Sequence, residues 1–421
     1  MTDLKIKLDQ LKNIFLNNLK IIENYFFMTA LQIINALFGI LIYPYLIRVL
    51  GADSYGLYVF AFSVSLYFVS LISFGFNLPA IRMVVQNLSD NKKKNEIISS
   101  IFTAKILLAI ASIFIFAILS FYIPIIRQNW LIFVICFSQI ISEVLFPVWY
   151  FQAIQKMKIV TYIQLFFRFI SLPFIFIFIK SPNDNWIYAV ITSSTIILGG
   201  ICSAVYLTKR GNIKYKFVPI NQLKLYFSDS MPFFWNTFTS TIKQESVTII
   251  IGSFFGMKDV AIYDLANKII LLPRMLTTSI NGALFPKIIG NIQKNMVKKI
   301  IAYETWIGIA VTIGVIIFGK WIILILGGNA MLDSYPLAII LSVTVLVWLV
   351  VGSYVNFIFI PNNKYYFVAR NQSVAFLTFL LFCIPGVLIF NNVLTIVTAL
   401  SLSGLSEIAY CKYLIKKHQL Q

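Results

Sequence analysis

The chain has 421 residues, of which 59% are hydrophobic and 12% charged, and its mean hydropathy is +0.87. That usage lies outside soluble globular proteins. Apolar runs long enough to cross a bilayer recur along the chain without the strand-like alternation of a β-barrel, as in 106–118. A net charge of +19 does not mark a nucleic-acid binder, because the basic residues fall in alternate loops.

Residues 2–23 place Leu4, Leu8, Leu11, Phe15, Leu19 and Ile22 at steps of three or four between lysines. This spacing predicts an interfacial amphipathic helix. No cleavable signal peptide is expected there. Spans are predicted at 25–47, 54–86, 97–121, 130–153, 159–179, 185–208, 229–255, 258–290, 300–326, 335–360, 367–390 and 393–415. The spans at 54–86 and 258–290 are long for a bilayer and should tilt or protrude. The expected fold is an all-α polytopic membrane protein of about twelve transmembrane helices in two six-helix bundles around a central cavity. Its parts are an N-terminal helix (1–23), a first lobe (24–208), a linker (209–228) and a second lobe (229–421).

Loop charge sets the orientation. One set of alternate loops and both termini carry 22 Lys and Arg, and the other ends carry five. The basic side is expected in the cytoplasm, with both termini inside. The outer loops are all short and offer no room for a soluble catalytic domain. Cys136, Cys202, Cys383 and Cys411 sit in separate helices with no CxxC pair and read as packing residues. The single histidine, His418, lies in the polar tail, which leaves little for histidine-based catalysis or metal binding. No phosphate-binding loop or metal-ligand spacing occurs, so no cofactor is expected.

The halves carry a repeat. Gly51 and Tyr58 match Gly256 and Tyr263, with Leu57/Ile262 and Gly56/Ala261 conservative, at an offset near half the chain length. Ser63, Ser70 and Asn77 then fall opposite Asn267, Arg274 and Asn281, each trio spaced by seven and so on one helical stripe.

Charges at membrane depth are expensive and face protein or water. The seventh span holds Lys243, Gln244 and Glu245. Lys243 and Glu245 are two apart and cannot share a face, so one is expected toward a cavity while the other pairs within its lobe. In the eighth span Asp264 and Lys268 have the spacing of a self-neutralising pair. Arg274 has no acidic residue three or four positions away, and its planar fork suits phosphate oxygens. Glu143 and Arg168 are expected to pair across neighbouring helices. Cations outnumber anions within the helices, which favours an anionic substrate.

Pro44-Tyr-Leu-Ile-Arg-Val-Leu-Gly51, Tyr55-Gly-Leu-Tyr58, Phe74-Gly-Phe-Asn-Leu-Pro-Ala80, Trp149-Tyr-Phe-Gln-Ala153 with Lys156-Met-Lys158, and Gly256 through Tyr263 together resemble Wzx-type polysaccharide flippases. These belong to the multidrug/oligosaccharidyl-lipid/polysaccharide (MOP) exporter superfamily. The resemblance implies a MATE-like fold and a bacterial inner-membrane location. It also implies movement of an undecaprenyl-pyrophosphate-linked repeat unit, of O-antigen or capsule, to the outer leaflet. The implied partners are that glycan, the bilayer, and the glycosyltransferases and polymerase of the same pathway, with no nucleic acid. The implied driving force is an ion gradient of H+ or Na+.

On this reading Arg274, Lys243 and Lys268 hold the pyrophosphate. Asn77, Asn281, Gln244 and Thr278 bond the sugars, with Arg48 as a further substrate contact. Asp264, Glu245 or Glu143 couples the ion. Two rivals exist. A membrane polymerase or glycosyltransferase is disfavoured by the short outer loops, and a small-molecule antiporter of the same superfamily by the cationic bias.

Overall fold

The computed structural model describes residues 2–211, 213–289, 294–362 and 364–420, with side chains outside 2–22, 25, 276–289, 294–295 and 365. Apart from turns and the linker after Arg210, the described chain is helical, as a bilayer requires of backbone that must satisfy its own hydrogen bonds. The first bundle holds α1 (Thr2–Ser73), α2 (Asn77–Gln86), α3 (Asn91–Tyr122), α4 (Pro124–Gln128), α5 (Trp130–Phe137), α6 (Ile140–Leu145), α7 (Val148–Ala153), α8 (Met157–Phe178) and α9 (Asn185–Arg210). The second holds α10 (Ile220–Phe254), α11 (Met257–Ile289), α12 (Lys294–Gly327), α13 (Ser334–Tyr354), α14 (Tyr365–Pro385) and α15 (Val393–Lys417). Among the described residues nine stretches are long and apolar enough to cross a membrane. The first of these, Phe26–Gln86, contains two predicted spans, and α10 and α11 are not among the nine. The predicted seventh and eighth spans correspond to the long helices α10 and α11.

The structure refines several boundaries. The N-terminal amphipathic segment is not separated from the first span, because α1 runs without a break from Thr2 and meets no glycine or proline before Gly39. The chain turns at Gly51, where φ is 77°. Gly256, its repeat partner, has φ 108°. Both positions need a residue without Cβ, so the repeat is a repeat of backbone geometry. The long second span breaks at Phe74 (φ 43°) and Gly75 (φ 65°), which detaches α2. The fourth span is three short helices, with a break at Pro147. The linker after α9 is strapped along α3. Lys214 N–H donates to Asn95 Oδ1 at 3.0 Å, Lys216 N–H to Ser99 Oγ at 3.1 Å, and Val218 N–H to Thr103 Oγ1 at 3.2 Å.

The bundles meet along the second arm of α1, which packs against α10 and α11. At the Gly51/Gly256 end they share one apolar core, which includes Leu46, Leu50, Tyr55, Ala61, Val260, Ala261 and Leu265. At the lysine-rich end each has its own, one around Phe151, Val160 and Leu207 and the other around Phe357, Phe367 and Cys411. The first of these also takes in Leu223 at the start of α10. Outward-facing Ile113, Phe114, Phe121 and Phe166 are exposed, as lipid contact requires.

Close approach sets the shared end. A Cβ on Gly56 would lie 1.8 Å from the Met257 carbonyl oxygen and 3.3 Å from the Ala261 nitrogen, both backbone atoms that cannot rotate away. Gly56→Ala should therefore push the bundles apart and destabilise the protein by about 1–3 kcal/mol, the usual cost of overpacking. Gly39, where an added Cβ meets nothing within 4 Å, should tolerate alanine with no loss. Melting of the two variants in detergent checks this, and equal melting temperatures would contradict it.

Candidate substrate passage

Among the described residues, three ion pairs organise the polar interior. The Lys268 ammonium pairs with Asp264 one helical turn away and donates to Tyr55 Oη at 2.9 Å. Tyr55 Oη in turn donates to Asp264 Oδ2 at 2.8 Å, across the seam between bundles. The Lys268 ammonium also lies 5.4 Å from the centroid of the Tyr43 ring, a cation–π contact. The expected self-neutralising pair is present. Both its members are committed to the closed end, so neither Lys268 nor Asp264 lines the two cavities described below.

Lys105, almost fully buried, donates to Glu143 Oε1 at 2.6 Å and to the Glu143 carbonyl at 2.9 Å. The expected Glu143–Arg168 pair does not form. The Arg168 guanidinium instead lies 4.5 Å from the centroid of the Phe38 ring. Lys105 and Glu143 are 38 residues apart, and only the meeting of α3 with α6 reveals their pairing. The third pair, Lys243 with Glu407, joins α10 to α15.

Among the described residues, two adjoining cavities border these groups. One, of about 280 Å³, sits on the seam between bundles. Leu66, Val69, Ser70 and Ser73 of α1 and Glu143 of α6 face it from the first bundle. Thr237, Ser240, Thr241, Gln244 and Glu245 of α10 face it from the second. The other, of about 240 Å³, lies inside the second bundle. Lys243, Asn267, Arg274, Trp348, Asn356, Gln372 and Glu407 are among its walls. The Arg274 guanidinium stacks 3.7 Å from the centroid of the Trp348 ring. Ser240 and Gln244 line both cavities, so the two adjoin there.

The helical period explains this division. Lys243 and Glu245 are about 200° apart around α10, so they open onto different chambers with Gln244 between them. Arg274 and Lys243 thus come together, but in a chamber of one bundle rather than in the central passage. The stripe of seven is partly realised: Ser70 lines the seam cavity, and Asn267 and Arg274 line the inner chamber. Arg48 and Asn77 are exposed and line neither cavity. Arg48 lies three residues before the turn at Gly51, and Asn77 opens α2 after the Gly75 break. The side chains of Thr278 and Asn281 lie outside the described residues.

Sequence reasoning did not select Trp348, Asn356, Gln372 or Glu407 for the chamber. Glu407 carried a signal, a carboxylate deep in an apolar helix without an obvious partner. Asn356 carried another, since it lies in a π-helical segment, Val355–Phe359, of the kind that often marks functional helices.

The fold is shared with known transporters. The chain superposes on a structure titled "Lipid II flippase MurJ, inward closed conformation" with TM-score 0.71, at 15% identity and over 94% of this chain and 87% of that one. It also matches an inward-facing multidrug resistance MATE family transporter of the MOP superfamily with TM-score 0.63, at 11% identity and over 92% and 95% of the two chains. At these identities the likeness shows the fold alone. In sequence, the chain is 25% identical over 285 residues to an Escherichia coli (strain K12) protein named "Putative O-antigen transporter", a match covering 68% of this chain and 69% of that protein. A Shigella dysenteriae protein of the same name is 27% identical over 262 residues, covering 60% of this chain and 64% of that protein. Residues 21–292 match the family described as "Polysaccharide biosynthesis protein", well over half of the chain, and the protein belongs to that family.

Proposed function

We propose that this protein carries a lipid-linked polysaccharide precursor across the membrane by alternating access between its two bundles. The lysine-rich side faces the cytoplasm, by the loop-charge bias. The observation that carries the reading is the pair of adjoining chambers. The described charged groups lining the inner chamber are two cations, Lys243 and Arg274, and one anion, Glu407. Cationic side chains, the planar guanidinium above all, suit a diphosphate. The seam cavity next to it presents hydroxyls, an amide and carboxylates, which are sugar-binding groups, and Gln244 stands at the junction. The lipid tail stays in the bilayer while the polar head passes.

Each chamber is smaller than the roughly 300 Å³ at which ligand pockets begin. A glycan enters only when the bundles part at the lysine-rich end, where their cores are already separate.

The reading makes two quantitative claims. Removing a charge-assisted contact costs about 1.5–3 kcal/mol, so Arg274→Ala should slow export roughly ten- to hundredfold. Arg274→Lys should recover only part of this, because the ammonium lacks the planar fork. Surface polysaccharide in a host lacking its own transporter is the measurement, and full export by both variants would refute the assignment. Lys243→Ala alone should destabilise the fold by about 3–5 kcal/mol by stranding buried Glu407, and the double variant Lys243→Met, Glu407→Leu should regain most of that stability. The double variant should still fail in export if Lys243 contacts substrate. Full export by a stable double variant would make the pair purely structural.

A further inference from the structure

We propose that the seam cavity is a charge filter on the sugar attached to the diphosphate. It admits a neutral or amine-bearing sugar and rejects an acidic one, and Glu245 sets the selection. This deepens the transport reading and rests on it. Ser240 and Gln244 line both chambers, so a diphosphate held by Arg274 and Lys243 places its first sugar in the seam cavity.

The argument begins with charge. The described residues lining the seam cavity include two carboxylates, Glu143 and Glu245, and no Lys, Arg or His. Glu143 is neutralised by Lys105, which stands behind the lining. Glu245 has no cation paired with it among the described residues. The buried Ser63 hydroxyl bonds it but brings no charge. The inner chamber thus offers cations, and the seam cavity an unmatched carboxylate. A sugar carboxylate brought beside Glu245 would meet like charge where little water screens it. An amine would instead supply the missing counter-charge, and a hydroxyl would be bonded without penalty.

An independent observation points to a ligand in this cavity. Ser70, 7% exposed, lines it, and its buried hydroxyl has no hydrogen-bond partner among the described residues. Buried polar atoms are normally satisfied, so this oxygen is matched to a group that arrives with substrate. Ser70 lies on α1 and Glu245 on α10, so they meet the sugar from opposite bundles. Thr237, Thr241 and Gln244 add neutral donors and acceptors, which bond sugar hydroxyls whatever the charge of the ring. Selection therefore comes from one repulsive group rather than from a better fit.

The test uses the purified full-length protein and three synthetic probes, farnesyl diphosphates bearing glucose, glucosamine or glucuronic acid. Wild type should bind the first two and should bind the glucuronic acid probe about tenfold or more weakly than the glucose probe. Glu245→Gln should remove most of that difference, whereas Glu245→Asp, which keeps the charge, should retain it. Arg274→Ala should weaken all three probes by the same factor and leave their ratios unchanged, because it acts on the shared diphosphate. Equal affinity of wild type for the glucose and glucuronic acid probes, or discrimination that persists in Glu245→Gln, would overturn the filter and leave the transport reading standing. Failure of wild type to bind any of the three would overturn both.

Discussion

The structure depends on one close contact, the backbone of Gly56 against the Met257 carbonyl at the first turn of α11. Nothing larger than hydrogen fits there, so the two copies of the glycine-tyrosine repeat lie face to face. The contact brings Tyr55 into reach of Asp264 and Lys268 and merges the apolar interiors of both bundles into one core at that end. The far end has no equivalent union, and its cores remain separate. The molecule is fastened at one end and divided at the other.

Charges at membrane depth follow a consistent arrangement. Each of three cations, Lys105, Lys243 and Lys268, lies against a carboxylate on its own bundle, and the seam itself carries mostly neutral oxygen donors. Pairs held inside the bundles can remain intact while the bundles move, so movement need not strand a buried ion. The Tyr55 hydroxyl is the exception, since it joins an ion pair across the seam with groups that water could replace.

Much of this was legible in the sequence because bilayers impose simple rules. Span positions followed from apolar runs, and the glycine repeat announced two positions of unusual backbone. The spacing of Lys243 and Glu245 already required them to face apart. Other features were illegible for definite reasons. Lys105 and Glu143 are brought together by the crossing of α3 and α6, which no local period encodes. Arg168 looked in need of a carboxylate because the sequence cannot show that Phe38 would be stacked beneath it. Arg48 and Asn77 looked interior by motif and stripe, yet each sits next to a backbone break that turns it outward.

The strapping of the linker along α3 has a mechanical outcome. Because 214–218 is bonded to the first bundle and Leu223 and Phe227 are packed there, the opening turns of α10 are fastened to that bundle. The rest of α10 belongs to the second bundle, so one helix spans both bundles. Pro232 interrupts its hydrogen-bond ladder close to Phe234, which stacks on Phe74 at 4.3 Å. Any rocking of one half against the other is thus concentrated as bending in a single rod at a built-in weak joint.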